Sequence, residues 1–119
     1  MSSPCFQTVT FFNFDEMVIT NSFSKLVILD ISAKWCNPCR VLEPVLEKVA
    51  SAYSDDHVLF CKMEAEDENM KIAGMLSVKG FPTVLAFKNG VEVNRFYSVQ
   101  NSLFIHKFID DSMFTEDRF

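Results

Sequence analysis

The 119-residue sequence contains no apolar run that approaches the roughly 18 to 20 residues needed to cross a lipid bilayer. Its first residues, MSSPCFQTVTFF, also lack the basic segment and the long apolar segment of a secretory signal. From these two absences we expect no membrane partner and a cytoplasmic protein.

Basic residues and cysteines are also scarce. The 11 Lys and Arg residues are scattered singly and are outnumbered by 16 acidic residues, so a nucleic-acid partner is not expected. The four cysteines, at positions 5, 36, 39 and 61, do not form the dense framework of a small secreted protein. In a reducing compartment the close pair Cys36 and Cys39 instead indicates catalysis or metal binding.

Turn signals divide the chain into short alternating segments, and its length fits a single domain covering residues 1–119. The segment LVILDISA is apolar at odd and even positions alike, which is typical of a strand covered on both faces. The order βαβαβαββα predicts an α/β fold with a central mixed β-sheet flanked by helices. The predicted elements are a strand at 7–12, a helix at 13–22, a strand at 26–33, a helix from Cys36, a strand at 57–63, a helix at 66–76, a hairpin of strands at 83–88 and 91–96 with an Asn-Gly turn, and a helix at 102–111.

The predicted helices have recognisable starts and faces. Asn13 is the expected N-cap of the first helix, and acidic residues are expected to begin the helix at 66–76, where they suit the positive end of its dipole. The helix after Cys36 and the last helix each present an apolar face. These faces consist of Leu42, Val45, Leu46, Val49, Ala50 and Tyr53 in the first case and of Leu103, Phe104 and Phe108 in the second.

Cys36 and Cys39 lie on either side of Asn37 and Pro38 at the start of a predicted helix. Unpaired N–H groups and the helix dipole stabilise a thiolate in the first turn, so Cys36 is predicted to be the more acidic sulfur. Cys39 lies on the same helix face, within reach of a disulfide. We predict that Cys36 attacks a substrate disulfide and that Cys39, the more buried thiol, resolves the mixed disulfide. Pro38 suits this turn because its missing N–H would have no partner there.

Two other interpretations of the cysteine pair remain open. A zinc site usually takes four ligands, and the remaining candidates include no second closely spaced pair, so no metal is expected. Two inert core cysteines are the other alternative, although reactivity explains such a pair more often than packing does. The remaining candidate zinc ligands are Cys5, Cys61, His57 and His106.

Three further features have fixed positions relative to the cysteine pair or to the predicted hairpin. Asp30 lies six residues before Cys36, Pro44 lies five residues after Cys39, and KGFPT (79–83) precedes the predicted hairpin. With these features the sequence resembles the thioredoxin family, and the motif WCNPC is a variant of that family's WCGPC. The resemblance covers a core of about 7–111, with short extensions at both ends, and implies the thioredoxin fold and dithiol–disulfide exchange.

The resemblance implies that Asp30 is the proton acceptor for Cys39. It also implies that Lys62 lies nearby, where its charge reduces the rise in the pKa of Asp30. Asp30 occurs in a strand that otherwise has the pattern of a buried one, so desolvation should raise its pKa. A hydrated Asp at a strand end is the alternative, and Lys62 taken alone is more typical of a solvated lysine.

The same resemblance implies a substrate-binding surface around the thiols. The bond between Phe81 and Pro82 is expected to be cis and to present the backbone of residue 81 to an extended substrate. An apolar rim of three side chains is expected around Cys36, with ordinary core packing as the alternative for each. The predicted substrate-binding residues are Trp35, Asn37, Pro38, Phe81, Pro82 and Val99. Ser98 departs from the family, which commonly has Gly there.

These features predict a monomeric protein-disulfide reductase that contributes to cell redox homeostasis. No bound cofactor is expected, and the expected partners are disulfide-containing client proteins and a thioredoxin reductase that supplies electrons from NADPH. Asn37 adds no charge that would stabilise the reduced form, so we expect a potential nearer the about −270 mV of thioredoxins than the about −180 mV of isomerases. The alternatives are a thiol oxidase or disulfide isomerase, and a non-catalytic binding module with this fold, which would usually lack one cysteine.

Overall fold

The computed structural model describes residues 6–115, so Cys5 lies outside the described residues. The predicted order of elements is confirmed. Within this range the strands are β1 (Phe6–Thr8), β2 (Leu26–Ser32), β3 (Val58–Glu64), β4 (Thr83–Lys88) and β5 (Val91–Tyr97), and the α-helices are α1 (Asn37–Ala50), α2 (Asn69–Met75) and α3 (Ser102–Met113). A π-helical segment (Asp15–Thr20) and a 3-10 turn (Asn21–Phe23) precede β2.

The five strands form one mixed sheet in the order β1-β3-β2-β4-β5. β3 pairs in parallel with both β1 and β2, whereas β4 pairs antiparallel with β2 and with β5. The register places Asp30 of β2 between Lys62 of β3 and Val84 of β4. None of the helices in residues 6–115 is long and apolar enough to cross a membrane.

All seven residues of β2 are buried, as predicted for a strand covered on both faces. Because successive side chains of a strand point to opposite faces, Ile28 belongs to the core beneath α1 and α3, whereas Leu29 belongs to the core on the other face. Asp30 has the same parity as Ile28, so its side chain faces α1. The central strand thus carries one carboxyl group into the α1 side of the core.

The two ends of α1 follow from its sequence. Cys36 is the N-cap and Pro38 lies in the first turn, where a missing N–H has no cost. Lys48 lies in the last turn, near the negative end of the helix dipole. The predicted apolar face is confirmed for Leu42, Leu46, Val49 and Ala50, which are buried, and for Val45, which packs partly against the core. Tyr53 also packs there, but it lies beyond the end of α1 and not on the helix as predicted.

The first predicted strand and the first helix cap are wrong in detail. β1 ends at Thr8 because the side chain of Asn13 accepts the N–H of Thr10 (2.7 Å) and donates to the carbonyl of Thr8 (3.1 Å), which forms a turn. Asn13 therefore stabilises this turn and does not cap the helix, whose N-cap position is Phe14 without a side-chain bond.

The predictions for the last two helices also need correction. α2 begins at Asn69 and has no acidic residue in its first turn, since Asp67 adopts a left-handed conformation (φ 50°) that a helix cannot contain. α3 is longer than predicted and is capped by Asn101, which accepts the N–H of Phe104 at 2.8 Å. Leu103 is 80% exposed, because the buried face of α3 consists of Ile105, Phe108, Ile109 and Ser112.

The hairpin of β4 and β5 is confirmed. Asn89 (φ 54°) and Gly90 (φ 86°) both have positive φ at its turn, as a tight hairpin requires. A Cβ atom at Gly90 would lie 2.6 Å from Cζ of Phe23. Phe23 is 64% exposed, so its ring has room to move and the backbone conformation is the main constraint.

Gly90→Ala is therefore expected to lower the free energy of unfolding by about 1–2 kcal/mol, measured by denaturant titration. Gly74→Ala is the matched control, because Gly74 lies within α2 and a Cβ there meets nothing within 4 Å. This control should raise stability by about 0.5–1 kcal/mol. Equal stabilities for Gly90→Ala and the wild type would contradict the role of the turn.

Candidate active site

Cys36 lies between the end of β2 and the start of α1, in an extended conformation (φ −94°, ψ 110°). Its N–H donates to the carbonyl of Ala33 at 3.1 Å, and its Sγ accepts the backbone N–H of Cys39 at 3.2 Å. The sulfur thus occupies the position of an N-cap oxygen, next to the positive end of the helix dipole. In the reduced protein these contacts favour a thiolate over a thiol.

Cys36 and Cys39 are joined by a disulfide, with their Cα atoms 5.3 Å apart. The prediction that Cys39 is the more buried residue is wrong, since Cys36 is 3% exposed and Cys39 is 7% exposed. Both cysteines form a small buried cluster with Ala33, against which Phe81 packs, and Cys39 also borders a cavity. The carbonyl oxygen of Phe81 lies 3.5 Å from Sγ of Cys36, where a reduced thiol can donate to it.

Arg40 links the residues around the disulfide. Its Nη1 donates to Oδ1 of Asn37 at 2.9 Å, and its Nη2 donates to the carbonyl of Lys34 at 2.5 Å. The side-chain oxygen of Asn37 is thereby directed to Arg40. This contact was not predicted from the sequence, although side chains three residues apart on a helix are neighbours.

The residues of the predicted docking surface differ in their exposure and in their contacts. The rings of Trp35 and Phe81 pack edge to face with centroids 5.9 Å apart, and Trp35 is 75% exposed. The bond between Phe81 and Pro82 is cis, as expected. Val99 is 38% exposed and follows Ser98, whose N–H donates to the carbonyl of Pro82 at 3.1 Å.

Ser98 has a positive φ of 68°. A residue with a side chain in this left-handed region is disfavoured by about 1 kcal/mol, which gives a physical reason for a Gly at this position. The hydrogen bond from Ser98 to Pro82 holds the loop in place despite this cost.

Asp30 is 3% exposed, and its Oδ1 has no hydrogen-bond partner among the described residues. The alternative of a hydrated Asp at a strand end is therefore wrong. Burial raises the pKa of Asp30 to about 7; Lys62 opposes this shift, and the carboxylates of Glu43 and Glu64 add to it. Asp30 and Cys39 line the same cavity, which has a volume of about 350 Å³.

Lys62 lies beside Asp30 in register, as expected, but its charge partner is a different residue. Its Nζ forms a close ion pair with Oε2 of Glu43 and lies 3.9 Å from Oε2 of Glu64. Burial lowers the pKa of Lys62, but the hydrogen bond and charge of Glu43, together with the charges of Glu64 and Asp30, raise it overall. Two of these residues were not predicted from the sequence: Glu43, which follows Cys39 by one helical turn, and Glu64, which follows Lys62 on the same face of β3.

Cys61 differs from the pair in its environment. It is buried in β3, and burial raises the pKa of its thiol to about 12, so it stays protonated at neutral pH. Within residues 6–115, no group of three or more His, Cys, Asp or Glu side chains is arranged to hold a metal ion. Reactive thiol chemistry is thus confined to Cys36 and Cys39 among the described cysteines.

A disulfide of two cysteines at the N-terminus of a helix, next to the carboxyl end of a central strand, is the arrangement of a dithiol–disulfide oxidoreductase. The family model for thioredoxin matches residues 6–111. The chain belongs to the thioredoxin family, whose activity is dithiol–disulfide exchange on protein disulfides.

Individual relatives agree with this assignment. The chain is 38% identical to a thioredoxin of Chlamydia pneumoniae over 98 residues, which cover 82% of this chain and 89% of the relative. It is 40% identical to thioredoxin-2 of Saccharomyces cerevisiae over 74 residues, covering 62% and 68% of the two chains. The crystal structure of the short form of thioredoxin f from spinach chloroplast matches with a TM-score of 0.80 and 26% identity, covering 94% of this chain and 96% of that one.

Asp30→Asn is expected to raise the free energy of unfolding at about pH 8. The folded chain binds the Asp30 proton more tightly, with a pKa of about 7 against 3.8 for an unperturbed Asp. Stability therefore falls as pH rises from about 4 through about 7, by about 4 kcal/mol in all. Denaturant titrations should show the gain at about pH 8 and little gain at about pH 4.

The control for this experiment is Asp55→Asn, since Asp55 is exposed. It should give no gain that depends on pH in this way. If the wild type and Asp30→Asn had the same free energy of unfolding at about pH 8, the conclusion that Asp30 is an ionisable group buried at a cost in stability would be wrong.

Proposed function

We propose that this chain reduces protein disulfides, with Cys36 as the nucleophile and Cys39 as the resolving cysteine. The observation that carries the proposal is the hydrogen bond from the Cys39 N–H to Sγ of Cys36 at the start of α1. This contact stabilises a thiolate at Cys36 when the disulfide opens. Cys39 is already within bonding distance, so the second step needs no large movement.

The proposed reaction has two exchange steps. The Cys36 thiolate attacks one sulfur of a client disulfide, forms a mixed disulfide with it and releases the other client sulfur as a thiolate. The Cys39 thiol then loses its proton and attacks Sγ of Cys36, which releases the second client thiolate. The client gains two electrons and takes up two protons, and the chain is left with the Cys36–Cys39 disulfide.

Asp30 is the proposed proton acceptor for Cys39, and Lys62 is proposed to tune it. Support comes from the shared cavity of Asp30 and Cys39 and from the pKa of about 7 that burial gives Asp30. A carboxylate with this affinity takes up and returns a proton at neutral pH. Because the two side chains line one cavity, the proton passes through a bridging water in this proposal.

The proposal includes a docking surface for the client protein. An extended client segment hydrogen-bonds to the backbone at Phe81, beside the cis bond, in the manner of an added strand. The exposed ring of Trp35, which packs against Phe81, supports apolar contact with the client. The residues assigned to this surface are Trp35, Asn37, Pro38, Phe81, Pro82 and Val99.

The proposed direction of the reaction is reduction. Asn37 brings no positive charge to the thiolate, which argues against a strongly oxidising thiol oxidase or disulfide isomerase. The presence of both cysteines argues against a non-catalytic binding module. A thioredoxin reductase that uses NADPH is the proposed electron source for a monomeric chain without a bound cofactor. A cytoplasmic location suits this role, because that compartment keeps thiols reduced.

The rate of insulin-disulfide reduction is measured with dithiothreitol as the reductant that regenerates the protein. Cys36→Ser is expected to lower this rate by about three orders of magnitude, because the nucleophile is lost. Cys39→Ser should keep the first attack and accumulate a mixed disulfide that mass spectrometry detects. The control Cys61→Ala should retain wild-type activity, since Cys61 is buried in β3. Undiminished turnover by Cys36→Ser would rule out this mechanism.

A further inference from the structure

The ammonium group of Lys62 lies between competing carboxylates. Lys62 and Asp30 are register partners on adjacent strands, and both line the cavity that reaches Cys39. Nevertheless, the ion pairs of Lys62 among the described residues are with Glu43 and Glu64, and Oδ1 of Asp30 has no hydrogen-bond partner. Glu43 thus binds the ammonium group directly, whereas Asp30 interacts with Lys62 through its charge without a direct ion pair.

The charged side chains around Asp30 belong to α1, to β3 and to the segment that follows β2. α1 contributes Arg40, Glu43 and Glu47, β3 contributes Lys62 and Glu64, and the segment after β2 contributes Lys34. Arg40 is hydrogen-bonded to Asn37 and to the carbonyl of Lys34, and Lys34 pairs with Glu66 at 3.3 Å. Lys62 is therefore the cation best placed to respond when the charge of Glu43 changes.

We propose that Glu43 is a positioning residue, which holds the Lys62 ammonium on its own carboxylate and so keeps Asp30 able to accept the Cys39 proton near neutral pH. The inference rests on the proposed role of Asp30 as proton acceptor. Glu43 does not touch the reacting sulfurs in this account. It acts through Lys62, to which it is ion-paired from α1.

The direction of the effect follows from electrostatics. The Glu43 carboxylate repels a negative charge on Asp30 directly, and it also holds the nearest positive charge. Glu43→Gln removes both effects, so Asp30 should lose its proton at a lower pH. A carboxylate that binds its proton less tightly is a weaker base for a thiol.

The resolving step is observed directly with the aromatic disulfide dithiobis(nitrobenzoate) and the reduced full chain. Attack by Cys36 releases one coloured thionitrobenzoate, and attack by Cys39 on the mixed disulfide releases the second. The rate of the second release is measured against pH for the wild type, Glu43→Gln, Glu43→Asp, Asp30→Asn and the double variant Asp30→Asn with Glu43→Gln. Glu68→Gln is the matched control, because it removes the carboxylate of an exposed ion pair with Lys71.

The pH midpoint of the second release should fall by about one unit in Glu43→Gln. The control should keep the wild-type midpoint, and Glu43→Asp should restore it at least in part. In the Asp30→Asn background, Glu43→Gln should shift nothing further, because the group through which it acts is absent. A merely structural ion pair between α1 and β3 would change stability but leave this midpoint in place.

Two contrary results separate the two levels of the proposal. If Asp30→Asn alters the pH profile and Glu43→Gln does not, the role of Glu43 is wrong and the role of Asp30 stands. If Asp30→Asn leaves the profile unchanged, Asp30 is not the proton acceptor, and the inference about Glu43 fails with it.

Discussion

The hydrogen bond from the Cys39 N–H to Sγ of Cys36 is the contact on which the chemistry of this chain depends. It requires that a helix begin where the central strand has just ended. Burial of β2 on both faces fixes the position of the strand, and the apolar face of α1 fixes the direction of the helix. The fold thus acts on the reaction by placing one sulfur at the start of one helix.

The same central strand explains the unusual carboxyl group of the site. Because β2 is buried on both faces, Asp30 is largely shielded from water, so the group costs stability when it is ionised. The other residues of β2 are apolar except Ser32 at its end, and both Asp30 and Ser32 line the cavity of Cys39. A group that weakens the folded state yet borders the reacting thiols suits a chemical role better than a structural one.

The sequence predicts features whose cause is local, such as the burial of β2, the helix after Cys36 and the turn at Gly90. It predicts poorly where side chains distant in the chain compete for one partner. Lys62 was correctly placed beside Asp30, but its ion pair with Glu43 depends on how α1 lies over β3. The end of β1 at Thr8 was not predicted for a related reason. The side chain of Asn13 bonds to the backbone of Thr8 and Thr10, in a segment where the sequence pattern implied continued strand pairing.

The most direct test is to titrate the reduced chain by the ultraviolet absorbance of the thiolate and to subtract the titration of Cys36→Ser. The account predicts that the difference shows Cys36 ionising at a clearly lower pH than a free cysteine thiol. A difference curve centred at or above the pH of a free thiol would show that the helix does not stabilise the anion. The proposed mechanism would then lack its first step.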